Sequence, residues 1–132
     1  MTRASAADKP DLEIATPPEF RHGIPGVWSP EDLLVASTAA CYAVTLLAIA
    51  ERRGVQPLDL SVAGTGHVEQ RADGRFGFIA IELDVRLTVS PEEVETAERV
   101  ARYAKDACLV SLALSTPVDV YVHVEARELA LA

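Results

Sequence analysis

From Leu33 to Ala50 the chain runs eighteen residues without a charged side chain. Any fold must find cover for that segment. The length sits at the edge of what a membrane-spanning helix needs, but Ala36, Ser37, Thr38, Ala39, Ala40, Thr45, Ala48 and Ala50 suit close packing inside a protein better than contact with lipid. The boundaries read as those of a soluble helix. Ser29 stands as N-cap, Pro30 at the first helical position, Glu31 next and Asp32 third, where an acid favours the helix dipole. Arg52 and Arg53 put cations at the negative end, and Gly54 offers a left-handed stop. The helix covers about 24 residues, roughly 36 Å at 1.5 Å per residue. A helix apolar on every side is expected to be central and wrapped by other elements.

Sheet is the expected wrapping. Leu58 to Gln70 alternates, with Leu60, Val62, Gly64, Gly66 and Val68 on one face. Arg71, Ala72, Asp73 and Gly74 read as a turn, and Arg75 to Val89 returns with Ile79, Ile81, Leu83, Val85, Leu87 and Val89 inward, an antiparallel hairpin. Val118, Val120, Val122 and Val124 predict a further half-buried strand, and Asp11 to Thr16 a shorter one. Between hairpin and last strand, Ser90, Pro91, Glu92 and Glu93 read as a capping box opening a second helix. Val94, Ala97, Ala101, Ala104 and Cys108 form its apolar stripe. Leu109 to Leu114 suggests a short further helix, with Cys108 at the junction where free backbone N–H groups would favour a thiolate. The expectation is one α+β domain over residues 1–132, with loose termini at 1–10 and 127–132.

Charge narrows the partners. With 12 Lys and Arg against 20 Asp and Glu, the net charge of -8 repels phosphate backbones, which argues against nucleic acid. The segment Met1 to Pro10 has no basic-then-apolar run, so cytoplasmic residence is expected and no membrane association. His22, His67 and His123 are scattered without ligand spacing, so no metal site is expected. No Gly-x-Ser-x-Gly turn supports a hydrolase.

Two cysteines, Cys41 and Cys108, are too few for a disulfide scaffold. Each alone reads as a small buried hydrophobe. Two of them on separate helices among small residues also fit a redox pair, which needs one thiol activated and a second near enough to attack its oxidised form. Activation calls for a positive partner. Arg3 and Arg21 are the free candidates, since Arg52 and Arg53 lie three turns beyond Cys41. Glu31 reads equally as a helix-start acid.

The segment Ser29-Pro30-Glu31-Asp32-Leu33-Leu34-Val35-Ala36-Ser37-Thr38-Ala39-Ala40-Cys41-Tyr42 resembles the central-helix signature of the OsmC/Ohr superfamily, the osmotically inducible and organic hydroperoxide resistance proteins. Ala107-Cys108-Leu109-Val110-Ser111-Leu112-Ala113-Leu114 is similar to its second cysteine motif. The resemblance implies an antiparallel sheet around a long central helix in an intertwined homodimer, with active sites at the subunit interface. It implies reduction of organic hydroperoxides, with Cys41 in the peroxidatic and Cys108 in the resolving position. Glu31 takes the position of the acid that orients an activating arginine. Arg3 is the nearest equivalent of that arginine and Arg21 a loop alternative. An external dithiol, dihydrolipoyl groups among them, would be the reductant, and no haem, flavin or metal is implied. Two departures stand out: the family's second motif has proline and asparagine where this chain has Leu109 and Leu112, and the first strand, which carries the activating arginine in the family, is cut short here.

Geometry adds an independent constraint. Ten residues of straight helix separate Glu31 from Cys41 by about 15 Å, so their cooperation requires a bend or a partner chain. The expected activity is thiol-dependent reduction of organic hydroperoxides through a Cys41 sulfenate and a Cys41–Cys108 disulfide, beside an apolar lining of Leu33, Leu34, Val44, Leu46 and Leu47. The alternative is a non-catalytic stress-related protein that binds small molecules or acyl groups with its thiols reduced.

Overall fold

The computed structural model describes residues 1–129. Its longest helix, α1 (Pro30–Arg52), starts where the sequence predicts. The Ser29 hydroxyl accepts from the Asp32 N–H at 3.0 Å, and the Asp32 carboxylate accepts from the Ser29 N–H at 3.0 Å. Two otherwise unpaired N–H groups are thereby satisfied. Gly54 takes φ +73° just past the end of α1, the left-handed stop that a side chain would oppose.

Strands β1 (Thr2–Ala4) and β2 (Leu12–Ile14) pair antiparallel. Residues 2–4 therefore belong to a ladder although they were expected to be loose, and the expectation for 127–132 falls partly on 130–132, outside the described residues. A loop from Ala15 leads into α1, held by Ala15 N–H donating to the Trp28 carbonyl at 2.9 Å.

The main sheet has the order β3 (Asp59–Gln70), β4 (Phe76–Val89), β5 (Val118–Ala126). The hairpin β3–β4 is antiparallel around the expected turn, with Gly74 at φ +87°. The wholly antiparallel expectation is corrected at β5, which runs parallel to β4. Two helices intervene between these strands, and a crossover of that kind returns the chain in the same direction.

Ile81, Leu83, Val85, Leu87 and Val89 are fully buried, as their alternation predicts, but Ile79 is 46% exposed. A register shift pairs His67 with Ala80 and Val68 with Phe78, leaving Ile79 as the extra residue of a bulge. Phe78 turns inward in its place. On β3 the glycines let α1 approach: a Cβ on Gly64 would lie 2.7 Å from Val35 Cγ1, and one on Gly66 2.8 Å from Val35 Cγ2.

After β4, Pro91–Glu93 forms a 3-10 turn and α2 spans Val94–Ala107. The expected capping box is absent, because the Glu93 carboxylate accepts from the Gln56 N–H at 3.2 Å and Ser90 makes no side-chain cap. Ala97, Val100, Ala101, Ala104 and Cys108 bury the inner face of α2 against α1 and the sheet. Helix α3 (Leu109–Ala113) follows at once, with Cys108 closing α2 and opening α3.

The expectation that α1 is wrapped on all sides is not met within one chain. Thr38, Ala39, Tyr42, Leu46, Ile49 and Ala50 are buried, whereas Val44 is 63% and Leu47 45% exposed. Sheet and α2 cover a single broad face.

Candidate active site

Cys41 lies on the flank of α1 that meets α3, half-buried, while Cys108 is fully buried at the α2–α3 junction; both are free thiols. The Val110 N–H donates to Cys41 Sγ at 3.5 Å. That bond is the main reason the Cys41 thiol is held below the ordinary value; partial burial opposes it, and the Cys108 thiol, the Thr45 hydroxyl and the Leu109 N–H reinforce it. Hydrogen bonds to the charged form favour ionisation as an opposite charge would. The junction's N–H groups serve Cys41, across from them, rather than Cys108, as the sequence suggests.

The local fold explains the arrangement. Cys108 has φ -68° and ψ 109°, an extended residue between two helices. The first N–H groups of α3 consequently have no carbonyl behind them. The alanine stripe on α2 lets that junction come down close to α1. Tyr42, beside Cys41 in sequence, is fully buried, and its hydroxyl donates to the Ala101 carbonyl of α2 at 3.0 Å. Burial, with the nearby Cys108 in second place, pushes this phenol far above its usual range, so it stays a donor.

The other expected site residues lie elsewhere in the chain. Glu31 sits in the first turn of α1, its Oε2 buried without a hydrogen-bond partner. It faces a groove of about 1250 Å³ between α1, β3, the hairpin tip and the loop before α1. Ala36, Ala40, Ala43 and Leu47 form one wall of this groove and Leu60, Val62 and Phe78 its floor. Phe20 and Phe76 meet edge to face across its end, centroids 4.9 Å apart. Cys41 does not line the groove, and α1 runs unbroken from Glu31 to Cys41, so one chain does not unite them.

Neither candidate arginine is at the thiol. Arg3 pairs in register with Glu13, on the face of the β1–β2 ladder opposite buried Ile14, and Arg21 is exposed in the following loop. Among the described residues, no ion pair involves Arg3, Arg21 or Glu31. The expected lining is also redistributed: Leu46 is core, Leu34 packs against it, and of the five only Leu47 borders the groove. His67 pairs with Glu82 at 3.3 Å, both half-exposed.

Sequence reasoning missed Tyr42 and Thr45, and it assigned the free N–H groups of the junction to Cys108 rather than to Cys41. Thr45 lies four residues after Cys41, on the same helix face, and could have been found. The helix start after Cys108 announces the main-chain donors, but no residue signature tells which thiol they meet.

A long small-residue helix laid on a three-stranded sheet, with a second helix bringing another cysteine to its flank, defines an α+β protein of the OsmC-like type. Residues 23–123 match the OsmC-like protein family, and the chain belongs to it. An uncharacterised protein of Bacillus subtilis (strain 168), YmaD, is 25% identical over 103 residues, covering 75% of this chain and 68% of the relative. An OsmC-like protein of unknown function from Vibrio cholerae superposes with a TM-score of 0.82 at 14% identity, over 92% of this chain and 82% of the other. A Legionella pneumophila structure described as an organic hydroperoxide resistance protein OsmC is 25% identical, with a TM-score of 0.71, over 88% and 82% of the two chains.

Proposed function

We propose that this protein is a cysteine-based peroxidase that reduces organic hydroperoxides. The observation that carries the reading is the Val110 N–H at 3.5 Å from Cys41 Sγ, with the Cys108 thiol beside the same sulfur. A half-buried thiol with a lowered pKa and a second thiol within reach is the equipment of a two-cysteine reductase. Family membership and the Legionella relative's description support the substrate class.

In the proposed cycle the Cys41 thiolate attacks one peroxide oxygen of ROOH. The O–O bond breaks, and the alkoxide takes a proton and leaves as ROH. Cys41 is oxidised to the sulfenic acid, and Cys108 then attacks its sulfur to form a disulfide and water. An external dithiol reopens the disulfide and is itself oxidised, a demand that suits the reducing cytoplasm. In this reading main-chain N–H groups supply the thiolate stabilisation that the family resemblance implies from an arginine. A homodimer completes the reading: a second copy would cover the groove and the exposed seam of α1, and could bring a cation to Glu31 Oε2.

The test is thiol consumption by cumene hydroperoxide. Cys41→Ser should be inert, while Cys108→Ser should reduce one equivalent and stop at the sulfenic or overoxidised acid. Equal turnover by the two variants with a dithiol present would refute the assignment. The groove favours the non-catalytic, acyl-binding alternative, under which hydroperoxide leaves both thiols reduced.

A further inference from the structure

Helix α2 packs on α1 and the sheet with Ala97, Val100, Ala101 and Ala104 buried, three of them alanines. Such shallow side chains make weak ridges, so interlocking does little to fix how far one helix slides along the other. Among the described residues one buried hydrogen bond joins the two helices, from the Tyr42 hydroxyl to the Ala101 carbonyl at 3.0 Å, and the Arg53 guanidinium at the end of α1 adds an outer contact over the Tyr103 ring, 5.0 Å from its centroid. Tyr42 follows Cys41 on α1. Ala101 precedes Cys108 by seven residues, two turns of α2 on the same face and about 10 Å along the axis.

We infer that Tyr42 is a positioning residue for the thiol pair, its buried hydroxyl bond setting the register of α2 on α1 and hence the approach of Cys108 to Cys41. The ring fills the space between the helices and the hydroxyl chooses the register. Without the bond, the Ala101 carbonyl still has its intrahelical partner, so α2 survives but loses its one buried directional restraint against sliding.

This inference rests on the thiols acting as a redox pair, and its test avoids hydroperoxide altogether. In a glutathione redox buffer, the equilibrium between the dithiol and the Cys41–Cys108 disulfide gives the effective concentration of Cys108 at Cys41. Tyr42→Phe should lower that value about three- to tenfold, the range expected for one buried hydrogen bond. Ile49→Val, a core change on α1 away from both thiols, should lower the melting temperature and leave the equilibrium alone. An unchanged equilibrium in Tyr42→Phe, an equal fall in Ile49→Val, or no intramolecular disulfide in the parent protein would overturn the inference. A parent protein that forms the disulfide in glutathione but not with cumene hydroperoxide would instead refute the proposed function.

Discussion

At the scale of single residues, the decisive comparison is between a charged and an uncharged way of stabilising the Cys41 thiolate. An arginine would act over several ångströms, whereas the Val110 and Leu109 N–H groups act only in contact. The Leu109 contribution can be removed cleanly: proline has no N–H, is tolerated at a first helical position, and asks the preceding residue to be extended, as Cys108 is at φ -68° and ψ 109°. Leu109→Pro should therefore fold, raise the midpoint of the pH profile of Cys41 alkylation by iodoacetamide, and leave it below that of an ordinary thiol because the larger Val110 bond remains. Arg3→Ala and Arg21→Ala should not move the midpoint. The sign for stability follows from the same shift. The folded state holds the Cys41 pKa down, so this group's contribution is complete above the unfolded value of about 8.5 and is lost as pH falls through the folded value. Urea melts of the parent protein and Cys41→Ser should diverge as pH rises through the folded value toward the unfolded one of about 8.5; parallel curves would contradict the assigned shift.

At the scale of elements, the fit of α1 to β3 depends on a side chain that is missing. Val35 sits over Gly64 and Gly66, and Phe78 lies 2.7 Å from where a Cβ on Gly66 would be. Gly66→Val should cost about 1–3 kcal/mol by overpacking, seen as a lower urea midpoint with little change in slope. A neutral result would mean that α1 rides higher on the sheet. The alternation of β3 revealed the inward face of these glycines, and Ser29, Pro30 and Asp32 wrote the start of α1 to the residue. The bulge that turned out Ile79 was illegible, because it depends on the pairing of His67 and Val68 with the opposite strand. Glu93 misled for a related reason: Ser-Pro-Glu-Glu satisfies a local capping pattern, but a non-local donor, the Gln56 N–H, takes the carboxylate. At the site, the cysteines were legible as side chains with chemistry. The free N–H groups after Cys108 were legible too, but not that tertiary packing delivers them to Cys41.

At the scale of the whole molecule, the uncharged run that dominates the sequence is only partly accounted for by its own chain. Val44 and Leu47 are exposed on α1, the groove beside them is open, and Glu31 Oε2 is buried without a partner. Contiguous apolar exposure of this kind marks an interface more often than a solvent face. The two possibilities predict opposite costs for Leu47→Glu. On a monomer the new carboxylate reaches water and should change stability by no more than about 0.5 kcal/mol. In a dimer closed over α1 it would be a buried, unpaired charge, costing on the order of 3–5 kcal/mol. The expected result is the second: a parent protein that sediments as a dimer and melts higher as its concentration rises, and a Leu47→Glu variant that sediments as a monomer and melts well below it. Concentration-independent melting of the parent, together with a Leu47→Glu variant of equal stability, would mean that a single chain tolerates this surface in water. The search for a cation at Glu31 would then have to turn to a ligand.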